Sequence, residues 1–295
     1  KRNMGKIYKT LIYDGQISLS VLDTTDVVNE AIRIHKLSPL CAAGLGRCLT
    51  IAAFMASSLK NDDERLSITI SGNGVGGKIV VAADGKMNVR GSIENPGADL
   101  PLKENGKLDV GGLVGNDGFI TVVKNLGLKE PYVGKCRLVS GEIGEDFASY
   151  YAYSEQQPTA IAVGVLVKNN KCIGAGGVII QPLPGCEDEN IEKAEKLISE
   201  FSSVSRMISE IGAKGLIEKY FSDCDFTEYD TRYRCNCSRE YVDKVLISLG
   251  EKEFSDIIRE EGKIEVSCEF CEKKYVYFAK DEKRLFGNEN VGKDS

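Results

Sequence analysis

Cys235-Asn236-Cys237, followed after thirty intervening residues by Cys268-Glu269-Phe270-Cys271, decides how the C-terminal part of this chain folds. Each close pair offers two thiolates from a single backbone turn. The segment between them needs only to fold back for four sulfurs to surround one tetrahedral ion, the arrangement that structural zinc takes. Cys235, Cys237, Cys268 and Cys271 are therefore the candidate metal ligands, and zinc the candidate cofactor. Four thiolates in one small module are also an oxidisable cluster, so loss of the metal and loss of the fold would be coupled. Cys268-x-x-Cys271 alone would suit a thioredoxin-like dithiol. That chemistry wants its first cysteine at a helix N-terminus, and the flanks here are strand-like.

Working outward from the cysteines, Ser238 is placed to cap a helix running through Tyr241, Val245 and Leu249 and stopped by Gly250. A second helix is expected over about 252–261, ending at Gly262, and Ile264–Val266 with Tyr275–Phe278 reads as a hairpin bracketing Cys268 and Cys271. This zinc-binding region, 231–286, has few large apolar residues and would be marginal without the metal.

Upstream, Gln181-Pro182-Leu183-Pro184-Gly185 marks a boundary. Beyond it Ile191, Ala194, Ile198, Phe201, Val204 and Ile208 recur at helical spacing to near Gly212, and a shorter helix is expected at Lys214–Phe221. Residues 181–230 thus read as an amphipathic helical linker whose apolar stripe packs on the preceding domain. Residues 1–180 alternate strand-like runs with Gly, Asp and Asn turns. Asp14-Gly15 joins Ile7–Tyr13 to Gln16–Leu22, a hairpin signal. Helices are expected at Asp26–His35, around Ala42–Ser58 and at Glu145–Ser154. Strands are expected at Leu66–Ser71, Lys78–Ala83, Met87–Gly91, Gly118–Val123, Cys136–Ser140, Thr159–Val167 and Cys172–Ile180. The fold class is α+β: a largely antiparallel N-terminal sheet with a buried helix, a helical linker and a small four-cysteine domain.

Charge excludes some functions. The chain of 295 residues carries a formal net charge of −6, and residues 187–230 concentrate it, with 5 basic against 12 acidic side chains. Residues 231–286 are balanced at 12 against 12. No segment has the basic excess that phosphate tracking requires, which argues against a zinc-ribbon nucleic-acid module. The stretch Leu37–Leu59 is apolar enough to suggest a membrane span, yet Arg47 lies at its centre, where insertion costs about 2.5–3.5 kcal/mol. It reads as a buried helix, and no membrane partner is expected. Lys1-Arg2-Asn3 leads into no secretory signal, and ten cysteines without one point to a reducing cytoplasm.

Other motifs fail on context. Gly72-Asn73-Gly74-Val75-Gly76-Gly77-Lys78 satisfies both G-x-G-x-x-G and G-x-x-x-x-G-K, but Ile79 stands where a P-loop needs Ser or Thr. A β-branched run follows instead of a helix, so the glycines read as a hairpin loop. His35 is the one histidine and reads as a solvated helix-terminal residue, too isolated for a Ser-His-Asp triad. Glu142, Glu145 and Asp146 suit a helix first turn. Cys41, Cys48, Cys136, Cys172, Cys186 and Cys224 have no metal spacing and read as small buried hydrophobes. No catalytic residue is assigned. An enzyme with a structural zinc stays open as an alternative with no evident substrate.

Tyr233-Arg234-Cys235-Asn236-Cys237-Ser238-Arg239-Glu240 and Cys268-Glu269-Phe270-Cys271 resemble the redox-regulated chaperones of the 33-kDa heat-shock protein family. Gly91-Ser92-Ile93-Glu94-Asn95-Pro96, Leu138-Val139-Ser140-Gly141-Glu142-Ile143 and Tyr153-Ser154-Glu155-Gln156-Gln157-Pro158-Thr159 are similar to further family segments, so the resemblance covers nearly the whole chain. It implies an ATP-independent holdase for unfolding client proteins, inactive when reduced and zinc-bound and activated by oxidation. It implies disulfides Cys235–Cys237 and Cys268–Cys271 with zinc release, and a homodimer on activation.

Overall fold

The computed structural model describes residues 4–287; Lys1-Arg2-Asn3 and the tail beyond Gly287 lie outside it. The chain divides into two compact units between Arg234 and Cys235.

The first unit opens with the expected hairpin, β1 (Gly5–Ile12) and β2 (Ile17–Asp23), whose tight turn places Tyr13, Asp14 and Gly15 at positive φ. Then come α1 (Thr25–His35) and α2 (Pro39–Ala56). Ser38 caps α2 by accepting from Cys41 N at 3.0 Å, and Pro39 takes the first helical position, where no N–H is needed. The chain continues through β3 (Arg65–Ser71), β4 (Ile79–Asp84), β5 (Asn88–Ile93), α3 (Val110–Val114), β6 (Phe119–Asn125), β7 (Tyr132–Arg137), α4 (Gly144–Ser154), β8 (Ala160–Lys168) and β9 (Lys171–Pro182). The helices α5 (Asp188–Ser199) and α6 (Val204–Tyr220) and the strand β10 (Thr227–Tyr233) complete it.

Among the described residues ten strands form one sheet in the order β7-β6-β3-β4-β5-β10-β1-β2-β9-β8, antiparallel except where β10 runs parallel to β5. One face carries the main core: Ile7 and Leu22 from the sheet with Leu45, Leu49 and Phe54 of α2 and Phe147 of α4. On the opposite face Ile17, Leu19, Val21, Val178 and Ile180 meet Phe201, Val204, Ile208 and Leu216 around α5 and α6. Neighbouring residues of β2 thus serve two cores, and its burial is nearly continuous.

Three expectations are corrected here. The long helix expected to Gly212 is interrupted at 200–203, while the expected break at Gly212 is present, where φ 67° and ψ 172° leave the helical range and kink α6. Residues 181–230 do not stand apart as a linker: α5 and α6 belong to the first unit, and β10 is inserted between β1 and β5. Its outward side chains are Glu228 and Asp230, which Lys6 pairs at 2.5 and 2.6 Å, so it lacks the apolar run that announces a central strand. The edge strand β7 begins at Tyr132 instead of Cys136; mostly exposed, it gives little hydrophobic signal.

The helix α2 is long and apolar enough to cross a membrane, and 89% of it is buried inside the protein. Arg47 is tolerated there because its Nη1 donates to Glu142 Oε2 at 2.8 Å and to the Glu142 carbonyl at 2.9 Å.

The second unit holds α7 (Arg239–Leu249), α8 (Glu251–Glu261), the hairpin β11 (Ile264–Ser267) and β12 (Lys274–Tyr277), and α9 (Ala279–Phe286). Its core is small: Val242, Leu246, Phe254, Ile264, Tyr275, Tyr277 and Leu285.

Candidate metal centre

Local chemistry presents each cysteine pair. Ser238 accepts from Tyr241 N at 3.2 Å and starts α7, so Cys235 and Cys237 lie on the extended approach to a capped helix. Cys268 and Cys271 form the turn of the β11–β12 hairpin. Its backbone closes through Cys268 N to Lys273 O at 3.0 Å and Glu272 N to Cys268 O at 2.8 Å, with Glu272 at φ 57°.

All four sulfurs lie within 4.8 Å of one another. Sulfurs meet across the pairs, Cys235 to Cys268 at 3.6 Å and Cys237 to Cys271 at 3.4 Å. Thiolates about 2.3 Å from a tetrahedral zinc would stand about 3.8 Å apart, so the donor set and its spacing fit that ion. Tyr275 Oη donates to Cys237 Sγ at 3.2 Å, an outer partner that holds the sulfur in place.

Crowding makes these thiols interdependent. Burial and the neighbouring sulfurs push Cys235 well above the ordinary thiol range, and burial takes Cys271 up to about 11. Burial also opposes ionisation of Cys237, but the bonds from Tyr275 and Cys271 outweigh it and bring that thiol down. One sulfur is favoured as a thiolate at its neighbours' expense. Four thiolates together need a compensating cation. All four cysteines are half-buried, within reach of small solutes.

Away from the sulfurs, Asp243 of α7 binds Tyr277 Oη at 2.8 Å and Arg284 at 2.5 Å, fastening the hairpin and α9 to α7. Nothing in the spacing of these residues announces that link.

Of the remaining cysteines, Cys41, Cys48 and Cys172 are buried as expected, while Cys136, Cys186 and Cys224 are only half-buried. The Gly72–Gly77 loop packs against the turn around α3. A Cβ on Gly72 would stand 2.1 Å from Val114 O, and one on Gly74 2.3 Å from Leu113 O. These glycines serve backbone approach, and no helix follows them. His35 is corrected from solvated to buried: its Nε2 lies 3.1 Å from Tyr233 Oη, which itself donates to Gly91 O at 2.8 Å. The partner is on β10, which sequence reading missed. Asp146 does more than favour a helix dipole. Its carboxylate accepts from the backbone N–H groups of Val139, Ser140, Gly141 and Ile143.

The family described as Hsp33 protein matches residues 5–278. The chain belongs to the Hsp33 family. It is 42% identical over 284 residues to the 33 kDa chaperonin of Acetivibrio thermocellus, covering 95% of this chain and 96% of that one. It is 40% identical to that of Clostridium acetobutylicum, covering 96% and 99%. The crystal structure of the Thermotoga maritima 33 kDa chaperonin superposes with a TM-score of 0.87 at 37% identity, covering 96% of this chain and 98% of that one. The Hsp33 family is a chaperone family, and the α+β fold with its clustered cysteines belongs to a member of it.

Proposed function

We propose that this Hsp33 chain is an ATP-independent holdase held inactive by zinc on Cys235, Cys237, Cys268 and Cys271 and released by oxidation. The observation that carries the reading is the cluster of four sulfurs within 4.8 Å of one another. Zinc, when bound, supplies a cross-link between the two cysteine pairs and the charge that keeps four thiolates together. In small zinc peptides that binding is worth about 10–16 kcal/mol, against the roughly 5–15 kcal/mol of a whole domain. The seven-residue core of the second unit is small enough to depend on it.

Oxidation removes the ligands. Two thiols of a pair lose two electrons and two protons to one peroxide, giving one disulfide and two waters. We assign the pairs Cys235–Cys237 and Cys268–Cys271. In the folded cluster sulfurs meet across the pairs, at 3.6 and 3.4 Å, but once the unit loosens only sequence neighbours stay close. Melting of the cysteine unit, approximately 231–286, is followed by release of the 181–230 segment from the sheet. That release uncovers Ile17, Leu19, Val21, Val178 and Ile180, an apolar surface suited to unfolding proteins. Two copies with such surfaces exposed would associate, so the active form is a homodimer. A free-thiol switch operates from a reducing cytoplasm. Neither nucleic acid nor membrane takes part.

The test is zinc content, free-thiol count and disulfide mapping before and after peroxide with mild heat, alongside aggregation of a thermally unfolded client. Zinc release, four thiols lost as neighbouring disulfides and a gain of aggregation suppression are expected. Equal suppression by the reduced, zinc-loaded protein would refute the switch.

A further inference from the structure

Asn-Gly occurs twice in the chain, at Asn73-Gly74 and Asn105-Gly106, and the two pairs stand in opposite surroundings. In this dipeptide the backbone nitrogen of glycine can reach the asparagine side-chain amide, because no Cβ hinders the approach. The fold decides how freely that nitrogen moves.

At the first pair it is held. Gly74 N donates to Val114 O at 2.9 Å, and Gly76 N donates to Leu113 O at 2.8 Å. A Cβ on Gly74 would stand 2.3 Å from Leu113 O, so the loop lies against α3, whose Leu113 and Val114 are buried. Freeing Gly74 means lifting the loop off that core. The second pair sits at a loop tip. Residues 101–107 are all exposed, and a Cβ on Gly106 would meet nothing within 4 Å. Among the described residues the backbone bonds of the tip are internal, from Gly106 N to Lys103 O at 2.8 Å and from Lys103 N to Lys107 O at 2.9 Å. Solvent-facing bonds without buried apolar contacts open at little cost. Lys107 N donates to Asn105 Oδ1 at 3.0 Å, which draws electrons from the amide carbon. Lys103 and Lys107 flank the pair with positive charge, which favours loss of the Gly106 amide proton.

We propose that Asn105 is a deamidation site of the folded protein. Gly106 N gives up its proton and attacks Asn105 Cγ. The new C–N bond closes a cyclic imide, the Cγ–Nδ2 bond breaks, and the side-chain nitrogen leaves as ammonia with that proton. Water then opens the imide at either carbonyl, leaving aspartate or isoaspartate. The added negative charge enters a loop whose Lys103 binds Glu142, the carboxylate that holds Arg47 within α2. The site is independent of the sulfur cluster and of the redox reading.

The test incubates the reduced, zinc-loaded full chain in neutral buffer for weeks and follows it by peptide mapping, with isoaspartyl residues labelled by a carboxyl methyltransferase. Asn105 should convert about tenfold faster than Asn73, an opening difference of about 1.4 kcal/mol. In urea, where neither loop is held, the two rates should be similar. Equal rates in the folded chain, or an intact Asn105 amide while the urea-unfolded chain reacts, overturns the proposal. Asn105→Gln should lose the acidic, isoaspartyl-labelled species. Their accumulation in that variant at the wild-type rate would place the modification elsewhere and overturn it as well.

Discussion

Gly174 of β9 meets the backbone of Ser205 in α6: a Cβ on Gly174 would stand 2.2 Å from the Ser205 carbonyl oxygen and 2.8 Å from Ser209 Cβ. Gly164 of β8 approaches Ser205 from the neighbouring strand, with its Cβ position 3.0 Å from Oγ. The helix rests directly on a glycine-lined part of the sheet.

The first prediction follows from that approach. Gly174→Val must push α6 away, and overpacking of this kind costs about 1–3 kcal/mol. Because α6 covers the apolar sheet face, the variant should suppress client aggregation while still reduced and zinc-loaded, with faster hydrogen exchange over 204–220. Gly97→Ala, where a Cβ meets nothing within 4 Å, is the control and should behave as wild type. A Gly174→Val protein as inert as wild type would show that α6 displacement does not expose the client surface.

A second prediction concerns the sulfur cluster. Cys268→Ser removes one of four ligands and leaves the small core of Val242, Leu246, Phe254, Ile264, Tyr275, Tyr277 and Leu285 to hold the second unit alone. Zinc stoichiometry should fall to near zero and the NMR signals of 235–287 should collapse, while those of β1–β9 persist. A chelator acting on wild type should give the same spectrum. If both keep a dispersed C-terminal spectrum, the metal is not what folds this unit.

Much of this was legible in the sequence where the signal is local. The Asp14-Gly15 turn, the Ser238 cap, and the glycines closing α7 and α8 depend on near neighbours, and the cysteine spacing carries its own geometry. What escaped depends on distant partners. The strand β10 is held by Lys6, more than 220 residues away, and alternates charge with aromatic residues instead of polar with aliphatic. His35 looked exposed because Tyr233 comes from that same unseen strand. The Asp243 link to Tyr277 and Arg284 spans α7, β12 and α9 with no spacing rule behind it. Residues 181–230 read as a linker from their acidity and proline boundary; their apolar stripe packs as expected through Ala194, Phe201, Val204 and Ile208, but the entry of β10 into the sheet was not foreseen.

Tyr275 gives a third prediction, separating metal affinity from folding. Its hydroxyl donates to Cys237 Sγ, while the ring contributes to the small core. Tyr275→Phe keeps the ring and removes only the bond to sulfur. Loss of such an outer partner weakens metal affinity about 10–100-fold. Competition with a chromogenic chelator should show that weakening with an unchanged far-UV spectrum, and faster zinc release under peroxide. Wild-type affinity in this variant would mean that the hydroxyl does not support the site.

The last prediction is a pH dependence confined to the first unit. Burial raises the Glu142 carboxyl, but the ion pairs with Lys103 and Arg47 outweigh it, so its folded value lies below the ordinary carboxylate range. A carboxylate depressed in the folded state binds protons more readily when unfolded. Its stabilisation is therefore complete above the unfolded value, about 4.3, and is lost as pH falls through the lower folded value. Glu142→Gln should lower the thermal midpoint of the first unit at pH 7, and the gap from wild type should close progressively below about pH 4.3. Scanning calorimetry from pH 7 to pH 3 measures it. A gap that stays constant across that range would mean that the pairing with Arg47 and Lys103 contributes nothing, and that Arg47 is accommodated in α2 by the Glu142 carbonyl alone.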